Sequence, residues 1–138
     1  MITPRICFAQ AGKVLLLFAL LLLALPTHSQ AADLEGVVQV ADLFKEFQKD
    51  AKAFKEKYRD KRVVLQGDVG SVKIIFDNDP ELVFDINPIH SVVCFFPKNA
   101  TKQLSALAKD TPVLVSGYFL RAETNTVLFS RCKIIPAP

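Results

Sequence analysis

The sequence predicts a mainly β domain: a five-stranded barrel with an amphipathic helix in front of it and a second helix between the third and fourth strands. Three observations predict it. From Val40 to Tyr58 the apolar residues Val40, Phe44, Phe47, Ala51, Phe54 and Tyr58 are spaced 4, 3, 4, 3 and 4 apart, the period of a helix with one apolar stripe. After Arg62 the pattern changes to short β-branched runs separated by turn residues, which read as strands. The first of those runs is long and interrupted by Gly67 and Gly70, and glycines inside a strand mark a bulge or a sharp bend.

The domain is expected to begin only after a leader. Of the 138 residues 51% are hydrophobic, and the excess is concentrated in the uninterrupted run 14–25. Twelve residues are too few for a relaxed transmembrane helix, which needs about 20. Arg5 and Lys13 stand before the run, Pro26 ends it, and Ser29, Ala31 and Ala32 follow. This is the layout of a secretory signal peptide, with a cut expected after Ala31. The expected division is therefore a signal peptide over 1–31 and one domain over 32–138, with the helix at 40–60 and the barrel at 62–136. The leader removes Arg5 and Lys13, leaving 15 basic against 14 acidic residues, or +1. A net charge so small gives no argument for a polyanionic partner. No second long apolar run remains, so no membrane span is expected in the mature chain, whose location is periplasmic or secreted.

Each element has its own signals. Residues 33–39 read as a polar lead-in. Asp42 is a candidate N-cap for the helix, Glu46 lies near its start, and Lys57, Arg59, Lys61 and Arg62 crowd its end, as the helix dipole favours. Strands are expected at 63–76, 81–86 and 91–96, separated by the turns Asp77-Asn78-Asp79-Pro80 and Asn87-Pro88. Leu104, Leu107 and Ala108 share one face of a short helix over 98–109, which Asp110-Thr111-Pro112 ends. Strands follow at 113–120 and 126–135, joined by Glu123-Thr124-Asn125. Three strands, a helix and two strands, with a bent first strand, is the order of an OB-fold barrel. A flat α+β sandwich is the alternative arrangement.

Four stretches carry a resemblance: Tyr58-Arg59-Asp60-Lys61 running into Val63-Val64-Leu65-Gln66-Gly67-Asp68-Val69; Val93-Cys94-Phe95; Thr111-Pro112-Val113-Leu114-Val115-Ser116-Gly117; and Val127-Leu128-Phe129-Ser130-Arg131-Cys132. From Leu43 to Ile135 the chain resembles the tRNA_anti-like group of exported OB-fold proteins. The resemblance implies the barrel and implies no particular ligand. Asp60 departs from it, standing where a glycine is common.

Cys7 leaves with the leader, so Cys94 and Cys132 remain. An even pair in an exported domain favours a disulfide, which on closing about 38 residues would stabilise by roughly 3–4 kcal/mol. Two buried thiols are the alternative.

Few residues could carry chemistry. His90 is the one histidine of the mature chain, beside a turn, and reads as a surface or strand-edge residue. Two cysteines and one histidine without CxxC-like spacing do not make a zinc site. Asp77-Asn78-Asp79 opens like a calcium loop, but Leu82 and Pro88 stand where glycine and glutamate are required. There is no glycine-rich phosphate loop of the GxGxxG or GxxxxGK type, so no cofactor is expected. A hydrolase using Asp68 and Asp85 would need both in one cleft, and nothing in the sequence places them there.

Nucleic-acid-binding OB domains use strands two and three with the flanking loops. Here that region, 68–90, holds Asp68, Asp77, Asp79, Glu81 and Asp85 against Lys73 alone, which repels phosphates; Phe84 and Phe95 read as core. Basic charge gathers instead on the helix, where Lys49, Lys52, Lys55, Arg59 and Arg62 form a candidate polyanion-binding set. Interleaved acids also fit an ordinary solvated face. These observations point to an exported, non-enzymatic OB-fold binding module of a bacterial-type cell envelope, whose partner is a protein, peptide or glycan. The alternative is a nucleic-acid-binding OB domain for a single-stranded or tRNA-like ligand.

Overall fold

The computed structural model describes residues 33–136; the expected leader, 1–31, lies outside them. The described residues are mainly β, with seven strands in one sheet and three α-helices. In chain order the elements are β1 (Asp33–Gln39), α1 (Val40–Lys49), α2 (Ala51–Tyr58), β2 (Arg62–Asp68), β3 (Ser71–Lys73), β4 (Glu81–Asp85), β5 (Ser91–Phe95), a 3₁₀ turn (Lys98–Ala100), α3 (Thr101–Ser105), β6 (Pro112–Glu123) and β7 (Thr126–Ile135).

Seven strands replace the expected five, for two reasons. The long first strand is divided: β2 pairs with β6 and β3 with β4, and only Val69 and Gly70 lie between. One bent run of chain therefore contributes both ends of the series β2-β6-β7-β5-β4-β3. Gly70 in this bend and Gly67 near the end of β2 are glycines because of space. A methyl on Gly67 would stand 2.5 Å from Val40 Cγ2, and one on Gly70 would run into the Asp85 carboxylate. The second reason is β1, read from the sequence as a lead-in. It pairs in parallel with β2, irregularly around Gly36 (φ 110°), and Gln39 Nε2 donates to Gln66 Oε1 at 2.9 Å. β1 satisfies the outer edge of β2, which would otherwise offer unpaired backbone groups.

The expected helix at 40–60 is broken at Asp50, whose backbone is extended (φ −154°) and whose carboxylate accepts from Lys52 N and Ala53 N. Asp50 is thus the N-cap of α2. Asp42, the expected cap, lies in the first turn of α1 instead, and Gln39 precedes the helix without a side-chain cap bond. The buried stripe also differs from the expected one: Leu43, beside Val40 and Phe44 in α1, is fully buried, and Ala51, just past the break, is exposed.

The phenylalanine stripe of the helices packs into the barrel. Phe47 and Phe54 lie edge to face at 5.4 Å, Phe54 meets Tyr58 at 4.6 Å and Phe119 at 5.6 Å, and Phe119 reaches Phe129 at 6.1 Å. Such aromatic pairs add to the burial of their area. Inward residues of the strands, among them Leu65, Leu82, Phe84, Val92, Cys94 and Phe129, complete the core. Asp60, where the family pattern prefers glycine, has φ 56°, a left-handed conformation that aspartate tolerates.

Candidate binding cleft

Two strands distant in sequence form the site. β5 runs parallel to β7, with Val93 opposite Leu128 and Cys94 opposite Phe129. Beyond their paired residues a cleft of about 700 Å³ opens between the end of β5, the 3₁₀ turn with the start of α3, and the second half of β7, within the size range of ligand pockets. Phe95 and Phe96 form an apolar wall, and Lys98, Arg131 and Lys133 stand around it with one carboxylate, Asp79. The three cations are exposed. Asn99 and Gln103 add neutral polar groups.

Arg131, at the cleft, is fixed by its own backbone and by a ring of β6. It has φ 50°, which a long side chain adopts only under tertiary constraint, and its guanidinium lies 4.8 Å from the centroid of Tyr118, a cation–π contact. Phe95 is half-buried. It borders a small cluster separate from the main core, made by Val83, Val93 and Leu128 across β4, β5 and β7. Of the two phenylalanines read as core, Phe84 is fully buried in it, whereas Phe95 faces this site.

The loop after β3 adjoins the cleft through Asp79. Ile74 and Ile75 are about half exposed and Phe76 is 98% exposed, an uncommon run of bare apolar side chains.

The helix cations divide. Lys55 and Arg59 line a second, smaller cavity of about 280 Å³ with Arg121, Asp60, Phe119 and Leu120. Lys49 and Lys52 are exposed and line neither cavity, and Arg62 is half-buried at the start of β2, its Nη2 donating to Ser116 Oγ at 3.4 Å. Arg121 is absent from the set drawn from the sequence because it lies 62 positions beyond Arg59 and only the fold joins them.

His90 is engaged in its turn: Asn87 Nδ2 contacts His90 Nδ1 at 2.8 Å, and the ring stacks 4.7 Å from Phe44. Asp68 and Asp85 are exposed at the ends of β2 and β4. Among the described residues no group of three or more His, Cys, Asp or Glu could hold a metal ion. Among them too, no helix is long and apolar enough to cross a membrane.

Cys94 and Cys132 are buried and unbonded. Burial, then the hydrogen bond and charge of Cys132, push the Cys94 thiol well above its ordinary pKa. Cys132 also lines the cleft.

A sheet of this connectivity, closed by one bent run that supplies both ends of the series β2-β6-β7-β5-β4-β3, defines a domain of the OB type. The chain belongs to the tRNA_anti-like family, whose model matches residues 18–133. Among solved structures, it is similar to a presumed nucleic acid-binding lipoprotein of Klebsiella pneumoniae, at 12% identity and a TM-score of 0.60, covering 73% of this chain and 92% of that one. This likeness is one of fold. A presumed aspartyl-tRNA synthetase of Leishmania major matches at 13% identity and a TM-score of 0.49, covering 76% of this chain and 22% of that one. No curated protein matches.

Proposed function

We propose that this protein is an exported, non-enzymatic OB-fold binding module of the cell envelope, and that its cleft takes an acidic segment of a protein partner. The observation that carries the reading is the cleft itself: Lys98, Arg131 and Lys133 against the single carboxylate of Asp79, around an apolar wall. Export is supported by the leader pattern over 1–31. A compact acidic segment suits the site better than a long polyphosphate, because the neighbouring strands and loops carry Asp77, Glu81 and Asp85, which repel an extended anion.

A second reading, a single-stranded nucleic acid in the same cleft, is favoured by Phe95. A half-buried ring between cations is what a base would stack on. Fluorescence anisotropy of the mature chain with a labelled acidic peptide and with labelled oligothymidylate, at low and physiological salt, separates the two. The leading reading expects the peptide to bind and R131E/K133E to weaken it at least tenfold, about 1.4 kcal/mol. Tight oligonucleotide binding that falls steeply with salt and is lost in F95A would replace it with the second.

A further inference from the structure

We infer that Cys94 and Cys132 are joined by a disulfide beneath the cleft, which fastens the wall bearing Phe95 and Lys98 to the wall bearing Arg131 and Lys133. The inference rests on the export reading for an oxidising compartment and on the cleft reading for its consequence. Its geometry is independent of both.

The two cysteines lie on parallel neighbouring strands, Cys94 opposite Phe129 and Cys132 three residues further on. Both side chains point into the barrel, with exposures of 0% and 2%, and both belong to the one main core cluster. Gly117 of β6 makes room for the second sulfur: a methyl there would stand 2.7 Å from Cys132 Sγ. Cys94 immediately precedes Phe95, and Cys132 sits between Arg131 and Lys133. A bond between the two sulfurs therefore crosses from one side of the cleft to the other at the level of its cations. It also holds β7 just after Arg131, whose backbone is left-handed.

The bond forms by exchange with a disulfide-bearing oxidant, such as oxidised glutathione or an oxidising dithiol protein. One cysteine thiolate attacks the oxidant's disulfide, releasing one thiolate and leaving a mixed disulfide. The second cysteine then displaces the other. One S–S bond is made and one broken, and the two electrons pass from the cysteine pair to the oxidant, which leaves as two thiols. Both sulfurs are shut away from solvent in the folded barrel. Exchange therefore takes place before β7 docks, and the finished bond is shielded from reductant.

The test uses the full chain expressed with its own N-terminus in an exporting bacterium, lysed into denaturant with excess iodoacetamide, and weighed intact. The expected species lacks the leader, is two hydrogens lighter than the reduced sequence and carries no alkyl group. Reduction in denaturant before alkylation adds two such groups, and the same reductant applied to the folded protein adds none. A leaderless chain with two alkyl groups and no prior reduction overturns the disulfide and leaves the cleft reading standing. A chain that keeps its leader and carries three alkyl groups, on Cys7, Cys94 and Cys132, overturns the disulfide and the export reading together.

Discussion

Tyr58 Oη donates a 2.8 Å hydrogen bond to Glu46 Oε2, while Lys57 Nζ lies 2.6 Å from the other oxygen of the same carboxylate. The pair spans the break at Asp50 and ties the end of α2 back to α1. Burial pulls the Glu46 carboxyl pKa up, but the hydrogen bonds from Lys57 and Tyr58 and the Lys57 charge outweigh it and hold the group below its ordinary value.

A carboxylate with a depressed folded pKa contributes stability above its unfolded pKa, about 4.3, and loses it as pH falls through the folded value. Glu46 and Lys57 are 36% and 48% exposed, so solvent screens the pair. Glu46→Gln should cost about 1 kcal/mol at neutral pH. Urea unfolding of both proteins should show that difference at pH 7 and its disappearance towards pH 3. A gap that widens in acid would contradict the ion-pair account.

Gly117 is required by the sulfur above it. Gly117→Ala would place its methyl 2.7 Å from Cys132 Sγ and 3.3 Å from Phe129 Cβ, and neither neighbour is free to withdraw from the core. The expected cost is about 1–3 kcal/mol, read as a lowered urea midpoint with an unchanged slope.

Phenylalanines of this chain differ sharply in what they hold. Phe76→Ser should leave stability within about 0.5 kcal/mol of the native protein, since the ring makes almost no contact that folding gains. Phe54→Ala, which removes the ring linking Phe47, Tyr58 and Phe119, should cost about 3–5 kcal/mol. Parallel thermal unfolding distinguishes them. A Phe76 variant as damaged as the Phe54 variant would mean the loop after β3 packs onto the protein.

Fully reduced protein should unfold about 3–4 kcal/mol more easily than oxidised protein. The comparison is of urea midpoints, with reduction performed in denaturant followed by refolding under reductant. Equal midpoints would mean the link adds nothing.

Much of the fold was legible because it is written in local periodicity. The 4-3-4 spacing gave the helical stripe, and the turn residues at 77–80, 87–88 and 123–125 delimited β4, β5 and β7. In the sequence Asp50 is indistinguishable from the other acids interleaved along the helix, and only the bonds it accepts from Lys52 N and Ala53 N mark it as the start of a new helix. β1 went unread because seven residues with an irregular centre at Gly36 show no alternation, and its pairing partner begins 29 positions later. The cleft was invisible for a related reason. Lys98 and the pair Arg131 and Lys133 stand more than 30 residues apart, and only the parallel pairing of β5 with β7 brings their segments together. The cations that cluster in the sequence, Lys49, Lys52, Lys55, Arg59 and Arg62, lie on the helices and at the start of β2, and none of them lines this cleft, to which the stretch 68–90 contributes Asp79 alone.

The central claim is that the cations around this cleft receive an anionic partner, and it is tested most directly by titrating the mature chain against a labelled acidic peptide at low and physiological salt, beside R131E/K133E. The account predicts saturable binding, weaker in salt and at least tenfold weaker in the charge-reversed protein, whose thermal midpoint stays near that of the native chain. Binding that the two substitutions leave untouched, while reversing Lys55 and Arg59 removes it, would contradict the account and move the site to the helix.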